Sequence, residues 1–422
     1  MTQSPSFTRL ANGVRVVSQE MDRLATASVG IWVDVGARYE APEINGVAHL
    51  LEHMAFKGTA RRDARAIAEE IEAVGGHLNA YTSREHTAYY ARVLADDVPL
   101  AVDLIADIVR HSTVDADELE RERTVVLQEI GQVQDTPDDL VFDLFQERAF
   151  PDQPLGRSIL GPAEIVARLG RDDLVGYLRA HYAPERLVLA AAGRVDHDRL
   201  VDLAERHLGD LAPQPTAAML PGSYRGGADL RDDDLEQVHV VLGVPGVPFD
   251  DADFYAAQVL ATALGGGMSS RLFQEVREKR GLAYNVFAFS GSYLDCGVVG
   301  MYAATSKKDA SEVVTVLDQE ARALLACPSE AEVARARAQL KASLLMSLES
   351  CASVSEDLAR QQLIFQDYLS PQDVAARIDA IDAAAVARVG ERLWHSGPLT
   401  LTALGPLPRD LEKAVSRLSG LG

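Results

Sequence analysis

The hydrophobic positions in the first part of the chain follow two different periodicities. In TASVGIWVDVG (26–36) apolar residues recur at every second position up to Gly36, which predicts an amphipathic β-strand. In RDARAIAEEIEAVGG (62–76) they recur at helical spacing and stop at a pair of glycines, and TAYYARVLA (87–95) returns to the strand pattern. Strands that alternate with helices in this way indicate an α/β or α+β domain.

A similar pattern recurs in the second part of the chain. A buried strand ending in glycine is predicted at 187–193, LVLAAAG, and again at 399–405, LTLTALG, each followed by a helical stretch. An Ala/Glu/Arg-rich helical segment at 116–130 likewise matches 330–344. The offsets, 212 and 214 residues, nearly agree, which indicates a duplicated domain. The similarity is weak residue by residue, and chance patterning stays an alternative.

One segment separates the two parts. Residues 212–229, APQPTAAMLPGSYRGGAD, hold three prolines and three glycines, a composition typical of a linker. A chain of 422 residues also exceeds the usual size of a single hydrophobic core. We therefore expect an N-terminal domain at 1–211 and a homologous C-terminal domain at 230–422.

Composition and charge narrow the classes of partner. Hydrophobic residues make up 47% and charged residues 25% of the chain, as in ordinary globular proteins. The formal net charge of −22 argues against nucleic acid and anionic membranes as partners. It would attract basic peptides if part of it lined a cavity, although a solvated acidic surface is the plainer explanation.

Cysteine usage and the start of the sequence bear on location. Cys296, Cys327 and Cys351 are too few and too widely spaced for a disulfide framework or a CxxC metal site, which favours a reducing compartment. No signal peptide, transit peptide or membrane-spanning apolar run is evident in the sequence. We expect a cytoplasmic protein.

The segment HLLEH places three chemically active side chains on one helix face. His49, Glu52 and His53 are three and four residues apart, so they project to the same side with Cβ atoms about 5–6 Å apart. Two imidazoles in this arrangement can share a zinc ion, and HxxEH is the inverzincin signature. Catalytic zinc normally has a third protein ligand, which must come from elsewhere. Paired surface or core histidines without a metal are the alternative.

The residues around this motif, together with three further blocks, resemble the pitrilysin/insulinase family, and within it the mitochondrial processing peptidases and their bacterial relatives. The blocks span most of both halves in the family's order. They are GVAHLLEHMAFKGT (46–59), GGHLNAYTSREHTAYYA (75–91), ERERTVVLQEI (120–130) and GGGMSSRLFQEVREKRGLAYNV (265–286).

The resemblance implies roles for five acidic and histidine residues of the first half. Family members take a third zinc ligand about 76 residues after the second histidine, which corresponds to Glu129 here, beside His49 and His53. Glu52 would be the base that activates the attacking water. Glu122, two helical turns before Glu129, matches an acidic residue that supports the metal site. An exposed charge on a Glu- and Arg-rich helix is the alternative for Glu122.

Two further sets of residues match substrate contacts of the family. Asn79, Ala80 and Tyr81 correspond to an edge strand to which a substrate adds as an extra strand, which an ordinary hairpin would also resemble. Arg277 and Tyr284 correspond to an arginine and a tyrosine that donate hydrogen bonds near the scissile bond. An arginine in a charged run and a tyrosine in a core strand are the alternatives for this pair.

The second half carries no equivalent of the zinc motif. An offset of 214 residues places Ala263, Gly267 and Ser343 at the positions of the three predicted ligands. The resemblance therefore implies a zinc endopeptidase, with one Zn²⁺ per chain, built from two homologous α/β roll domains. They would form half of a chamber that admits peptides or unfolded segments.

The number and nature of the subunits stay open in the sequence. A chamber made of two such chains implies a homodimer, or a heterodimer with a homologous subunit. A non-catalytic scaffold subunit of the same family is an alternative function, and so is a protein that only binds zinc. Retention of Glu52 beside the predicted ligands favours an enzyme.

Overall fold

The computed structural model describes residues 4–216 and 218–418, which divide into two compact units. Unit 1 is built from the described residues of 1–131, 158–220 and 346–368. Unit 2 is built from those of 132–157, 221–345 and 369–422. No helix within these described ranges is both long and apolar enough to cross a membrane.

Strands and helices alternate along the chain. The strands are β1 (Ser6–Arg9), β2 (Arg15–Glu20), β3 (Thr26–Val33), β4 (His77–Thr82), β5 (Thr87–Leu94), β6 (Leu187–Gly193), β7 (Gly227–Asp232), β8 (Val238–Pro245), β9 (Ala283–Ser292), β10 (Gly297–Thr305) and β11 (Thr400–Gly405). The helices are α1 (Val47–Ala55), α2 (Ala64–Ala73), α3 (Val98–His111), α4 (Ala116–Gln134), α5 (Pro137–Ala149), α6 (Ala163–Val166), α7 (Arg171–His181), α8 (His197–Leu208), α9 (Phe254–Gly265), α10 (Ala310–Ala326), α11 (Glu330–Ser347), α12 (Cys351–Ile364), α13 (Pro371–Asp379), α14 (Ala383–His395) and α15 (Leu411–Val415).

Unit 1 contains a mixed six-stranded sheet in the order β1-β2-β6-β3-β5-β4. Only β2 and β6 pair in parallel, and the remaining neighbours are antiparallel. One face of the sheet packs with α1, α3 and α8 in the main core of the unit. The other face is covered by α12, whose Leu358 packs with Trp32 and Val188. Strand β4 lies at the edge of this sheet.

Unit 2 contains a five-stranded sheet in the order β7-β11-β8-β10-β9. Its pairing repeats that of β2-β6-β3-β5-β4, including the single parallel pair, here between β7 and β11. One face packs with α9, α10 and α14, and α5 covers the other. The predicted α/β (α+β) fold with a duplicated domain is therefore confirmed.

The units differ from the contiguous domains predicted at 1–211 and 230–422. Residues 132–157, with α5, belong to unit 2, and residues 346–368, with α12, belong to unit 1. Each of these helices covers a sheet face formed by strands that lie far from it along the chain. Of the predicted linker at 212–229, the last three residues form the start of β7.

Strand β3 shows the consequence of this exchange. The alternating pattern at 26–36 predicts an amphipathic strand, whereas β3 is buried on both faces after its first residue. Val29 and Ile31 face the main core, and Trp32 faces α12. The second face is buried because α12, more than 300 residues further along the chain, packs against it.

Candidate metal site

Helix α1, which carries the HLLEH motif, begins at an unusual turn. Gly46 precedes the helix with φ of 96°, and a Cβ atom there would lie 2.6 Å from the carbonyl oxygen of Leu160, so only glycine fits. The buried carboxylate of Glu40 accepts hydrogen bonds from the backbone N–H groups of Gly46 and Ala48, both at 2.8 Å. It also accepts one from Asn45 Nδ2 at 2.6 Å. Glu40 thus supplies hydrogen-bond acceptors for the unpaired N–H groups at the start of α1 and fixes the direction of this helix.

The side chains of His49, His53 and Glu129 converge beside α1. Their potential ligand atoms all lie within 4.8 Å of one another. Oε2 of Glu129, which α4 supplies, lies 3.7 Å from His49 Nε2 and 3.6 Å from His53 Nε2. A tetrahedral zinc ion with bonds of about 2.0–2.1 Å separates its ligands by about 3.4 Å. The spacing is thus long for hydrogen bonds but close to that of atoms sharing a metal.

The protonation of His49 suits metal binding. Burial, and to a smaller extent the charge of His53, lower the pKa of His49 to about 4, so its ring is neutral at pH 7. Neutral imidazole is the form that ligates metals. Its other ring nitrogen, Nδ1, is buried with no hydrogen-bond partner among the described residues.

The ring of His53 is oriented by two charged residues, Glu122 and Lys57. Its Nδ1 lies 3.1 Å from Glu122 Oε2, and the other oxygen of that carboxylate, Oε1, lies 2.6 Å from Nζ of Lys57. Donation of the Nδ1 proton to Glu122 leaves the Nε2 lone pair directed toward Glu129. Lys57 lies in the turn just after α1, and its side chain and that of His53 approach the same carboxylate.

Glu52 lies beside this donor group. Its Oε2 accepts a 2.7 Å hydrogen bond from the hydroxyl of Thr82, the last residue of β4. Burial raises the pKa of Glu52, and the hydroxyl and backbone N–H of Thr82 act against this effect. A carboxylate that is partly desolvated and hydrogen-bonded by one neighbouring residue suits a group that exchanges protons.

The middle of β4 is formed by Asn79, Ala80 and Tyr81. Among the described residues, β5 is the only strand that pairs with β4, so the other side of β4 is a free edge. The N–H of Ala80 is bonded to Asn79 Oδ1 at 2.9 Å. Since the N–H groups of an antiparallel edge strand alternate between its neighbour and the free side, the N–H of Ala80 is on the free side. The Tyr81 hydroxyl donates to Glu356 Oε1 of α12 at 3.0 Å, on the opposite face of the sheet from Glu52.

In unit 2, Arg277 and Tyr284 contact each other. Arg277 lies in a π-helical segment, Phe273–Lys279, and its Nη1 donates to the carbonyl oxygen of Tyr284 at 3.1 Å. The guanidinium lies 4.7 Å from the Phe273 ring centroid and 4.1 Å from that of Tyr284. The Tyr284 residue itself is 78% exposed. The pair is therefore stacked and preordered, with donors left available on Arg277.

Other candidate positions lie outside the donor group. His86, in the turn after β4, contacts Ser83 of the same turn and Tyr81 of β4, and His77 is an exposed residue of β4. The positions equivalent to the ligands, Ala263, Gly267 and Ser343, offer no imidazole or carboxylate. Within the described ranges, His49, His53 and Glu129 form the only group suited to a metal ion.

Sequence reasoning missed three residues that shape this site: Glu40, Lys57 and Thr82. Lys57 left a partial signal, because it follows His53 by only four residues, although it lies in the turn after α1. Thr82 left a weaker one, since it shares a strand face with Ala80. Glu40 left none, because its contact with the start of α1 depends on the path of the intervening loop.

The fold and the site together define a duplicated α/β protein with a His/His/Glu donor group in only one unit. A family model described as insulinase (peptidase family M16) matches residues 15–163, which contain the whole donor group. A second model, described as the peptidase M16 inactive domain, matches residues 168–340.

Similar proteins match nearly the whole chain. An uncharacterized zinc protease of Rickettsia bellii is 38% identical over 96% of this chain and 98% of its own. The mitochondrial-processing peptidase subunit beta of Mus musculus is 40% identical over 95% of this chain and 84% of its own. A chain of complex III2 from Candida albicans has a similar fold, with a TM-score of 0.87, 26% identity and coverage of 98% and 99%. The chain belongs to the insulinase family, peptidase family M16.

Proposed function

We propose that this chain is a zinc-dependent endopeptidase that cleaves peptides or unfolded segments. The convergence of His49, His53 and Glu129, with Glu52 beside them, carries the proposal. Membership of a peptidase family and the names of its zinc-protease relatives support it.

The donor set fits zinc. Two neutral imidazoles and one carboxylate are the composition of a common catalytic zinc site, which leaves a fourth position for water or substrate. His49 is neutral at pH 7, and His53 is oriented by Glu122. When bound, zinc would act as a Lewis acid that lowers the pKa of a coordinated water and polarises the substrate carbonyl.

Glu52 would act as the general base and then as the general acid. It takes one proton from the attacking water and passes it to the nitrogen of the leaving amine, so the C–N bond breaks with net addition of one water. The hydroxyl of Thr82 contacts Oε2 of this carboxylate and not Oε1. Proton exchange through Oε1 therefore leaves the anchoring contact in place.

The free side of β4 would bind the substrate. An extended peptide can add to an edge strand through backbone hydrogen bonds, which read no side chain and so accept many sequences. The outward N–H of Ala80 supports this role. In unit 2, Arg277 and Tyr284 would donate hydrogen bonds to the substrate carbonyl as it gains negative charge.

The family and the net charge support the proposed assembly and substrate class. Relatives named as a peptidase subunit support an assembly of two chains, either a homodimer or a heterodimer with a homologous subunit. A chain with a net charge of −22 would favour basic peptides by attraction at long range.

Metal removal and restoration test the function. A quenched fluorogenic peptide with several Arg and Lys residues serves as the substrate. Chelation should abolish its cleavage, and one equivalent of Zn²⁺ per chain should restore it. Glu129→Gln should bind zinc more weakly and cleave correspondingly less, because it removes the anionic ligand. Cleavage that survives complete metal removal would contradict the proposal.

The alternative is a non-catalytic scaffold subunit. The description of one matched model as an inactive domain, and the presence of a similar chain in complex III2, favour it. The retained set of His49, Glu52, His53 and Glu129 argues against it. A zinc-loaded chain with no turnover on unfolded proteins or peptides, alone or with homologous subunits, would support the scaffold.

A further inference from the structure

One contact joins the two elements on which the proposed chemistry depends. The hydroxyl of Thr82, at the end of β4, donates to Oε2 of Glu52 on α1 at 2.7 Å. It is the only side-chain hydrogen bond that the Glu52 carboxylate makes to the part of the chain that the structure describes, and the backbone N–H of the same Thr82 is the other donor near it. The orientation of this carboxylate therefore depends on one residue, Thr82, whose hydroxyl is the only side-chain donor.

The pleat of β4 explains how the hydroxyl reaches Glu52. Side chains two residues apart lie on the same sheet face, and Leu78 and Ala80 both pack in the core that contains α1. Thr82 is the next residue in that series. Tyr81, one residue earlier, faces the opposite side, where it contacts α12. A change of one residue in register would therefore separate Thr82 from Glu52.

The same alternation relates Glu52 to the free edge. The N–H of Ala80 is on the free side of β4, so the next outward N–H belongs to Thr82, two residues on. The carboxylate of Glu52 is thus held at the last position of the edge to which an extended peptide could add.

We propose that Thr82 is a positioning residue that fixes Glu52 relative to the strand that binds substrate. The hydroxyl of Thr82 donates to Oε2 of Glu52. Oε1 would then accept the proton of the attacking water, and the carboxylate would stay at a constant distance from the bound peptide. The inference rests on the proposed peptidase function. A purely structural role, in which the contact only fastens α1 to β4, is the competing explanation.

Three substitutions separate these explanations. Thr82→Val keeps the shape and β-branching of the side chain but removes the donor, and Thr82→Ser keeps the donor but removes the methyl group. Thr124→Val is the matched control, because Thr124 is exposed on α4 and its hydroxyl hydrogen-bonds, among the described residues, only to the carbonyl oxygen of Glu120. Zinc content, thermal midpoint, kcat and KM are measured on the full-length protein with the fluorogenic basic peptide.

The positioning role predicts a defect in turnover alone. Thr82→Val should lower kcat about 10- to 100-fold, with KM within about twofold and zinc content unchanged, because substrate and metal still bind while the base is misplaced. Thr82→Ser should retain most of the turnover, and Thr124→Val should match the wild type.

Other results would overturn the inference. Equal turnover in Thr82→Val and the wild type would show that the hydroxyl does not position the base. Equal losses in Thr82→Val and Thr82→Ser, with a lowered thermal midpoint, would assign the contact a structural role. Absence of cleavage by the zinc-loaded wild type would instead contradict the proposed peptidase function, whatever the variants do.

Discussion

At the scale of single residues, the ring of His53 is held by a chain of charged contacts. Lys57 contacts one oxygen of Glu122, and the other oxygen contacts Nδ1 of His53. The carboxylate is 9% exposed, so water competes weakly for these contacts. His49 has no corresponding partner on Nδ1 among the described residues. The orientation of His53 is therefore the better defined of the two.

We predict that Glu122→Gln weakens zinc binding without abolishing it. An amide attracts the Nδ1 proton less strongly and can also present its NH₂ group, so we expect the zinc dissociation constant to rise about 10- to 100-fold. Competition with a chromogenic chelator measures the constant. Glu120→Gln, on an exposed position of the same helix, is the control. Equal zinc affinity in Glu122→Gln and Glu120→Gln would contradict the role of Glu122.

Single residues differ in how well the sequence predicts them. His49, Glu52 and His53 form one helical motif, and the structure places all three on α1. Glu129 came from the family resemblance, and its carboxylate lies within reach of both imidazoles. Thr82 is 30 residues from Glu52 and lies on a different element. Its role depends on how α1 packs on β4, which local periodicity does not report.

At the scale of elements, α1 lacks an ordinary N-cap. Gly46 has no side chain to accept a hydrogen bond, and the distant Glu40 supplies the carboxylate instead. An anion at a helix N-terminus stabilises the unpaired N–H groups and the helix dipole. Because His49 and Glu52 follow within two turns, the same carboxylate also positions the candidate site.

We predict that Glu40→Gln destabilises unit 1. The amide keeps one acceptor, so at least one buried N–H group loses its partner, at a cost of about 1–3 kcal/mol. For a unit of this size that cost lowers the thermal midpoint by about 2–10 °C. Differential scanning calorimetry measures it, with exposed Glu43→Gln as the control. An unchanged midpoint in Glu40→Gln would contradict the capping role.

The positions of the helices and strands along the chain were easier to predict than the elements that pack against them. The predicted segments at 62–76 and 87–95 correspond to α2 and β5, and the repeat at 187–193 and 399–405 corresponds to β6 and β11. The burial of β3 on both faces was not predictable, because α12 comes from a distant part of the chain. Periodicity reports which face of a strand is apolar, and Trp32 alone gave too weak a signal for the second face.

At the scale of the whole molecule, duplication has left the two units chemically different. Five strands of each sheet share one order, yet among the described residues the candidate metal-binding group occurs only in unit 1. Unit 2 carries instead the stacked pair of Arg277 and Tyr284. We infer that the two repeats have diverged in their chemistry, because among the described residues only unit 1 carries the candidate metal ligands.

We predict that Arg277→Lys lowers kcat/KM about tenfold or more and leaves zinc content unchanged. Lysine keeps the charge but loses the planar, stacked guanidinium that contacts Phe273 and Tyr284. Steady-state kinetics with the fluorogenic peptide measures the effect. Arg280→Lys, at a partly exposed position nearby, is the control. Equal kcat/KM in Arg277→Lys and the wild type would contradict a substrate role for this pair.

The central claim is that Glu52 performs the proton transfer at a zinc site to which it contributes no ligand. Its most direct test is the turnover of zinc-loaded Glu52→Gln, with bound zinc measured on the same sample. We predict one zinc ion per chain and a kcat lower by about 10²- to 10⁴-fold, the usual contribution of a general acid–base group. Wild-type turnover in zinc-loaded Glu52→Gln would contradict the account.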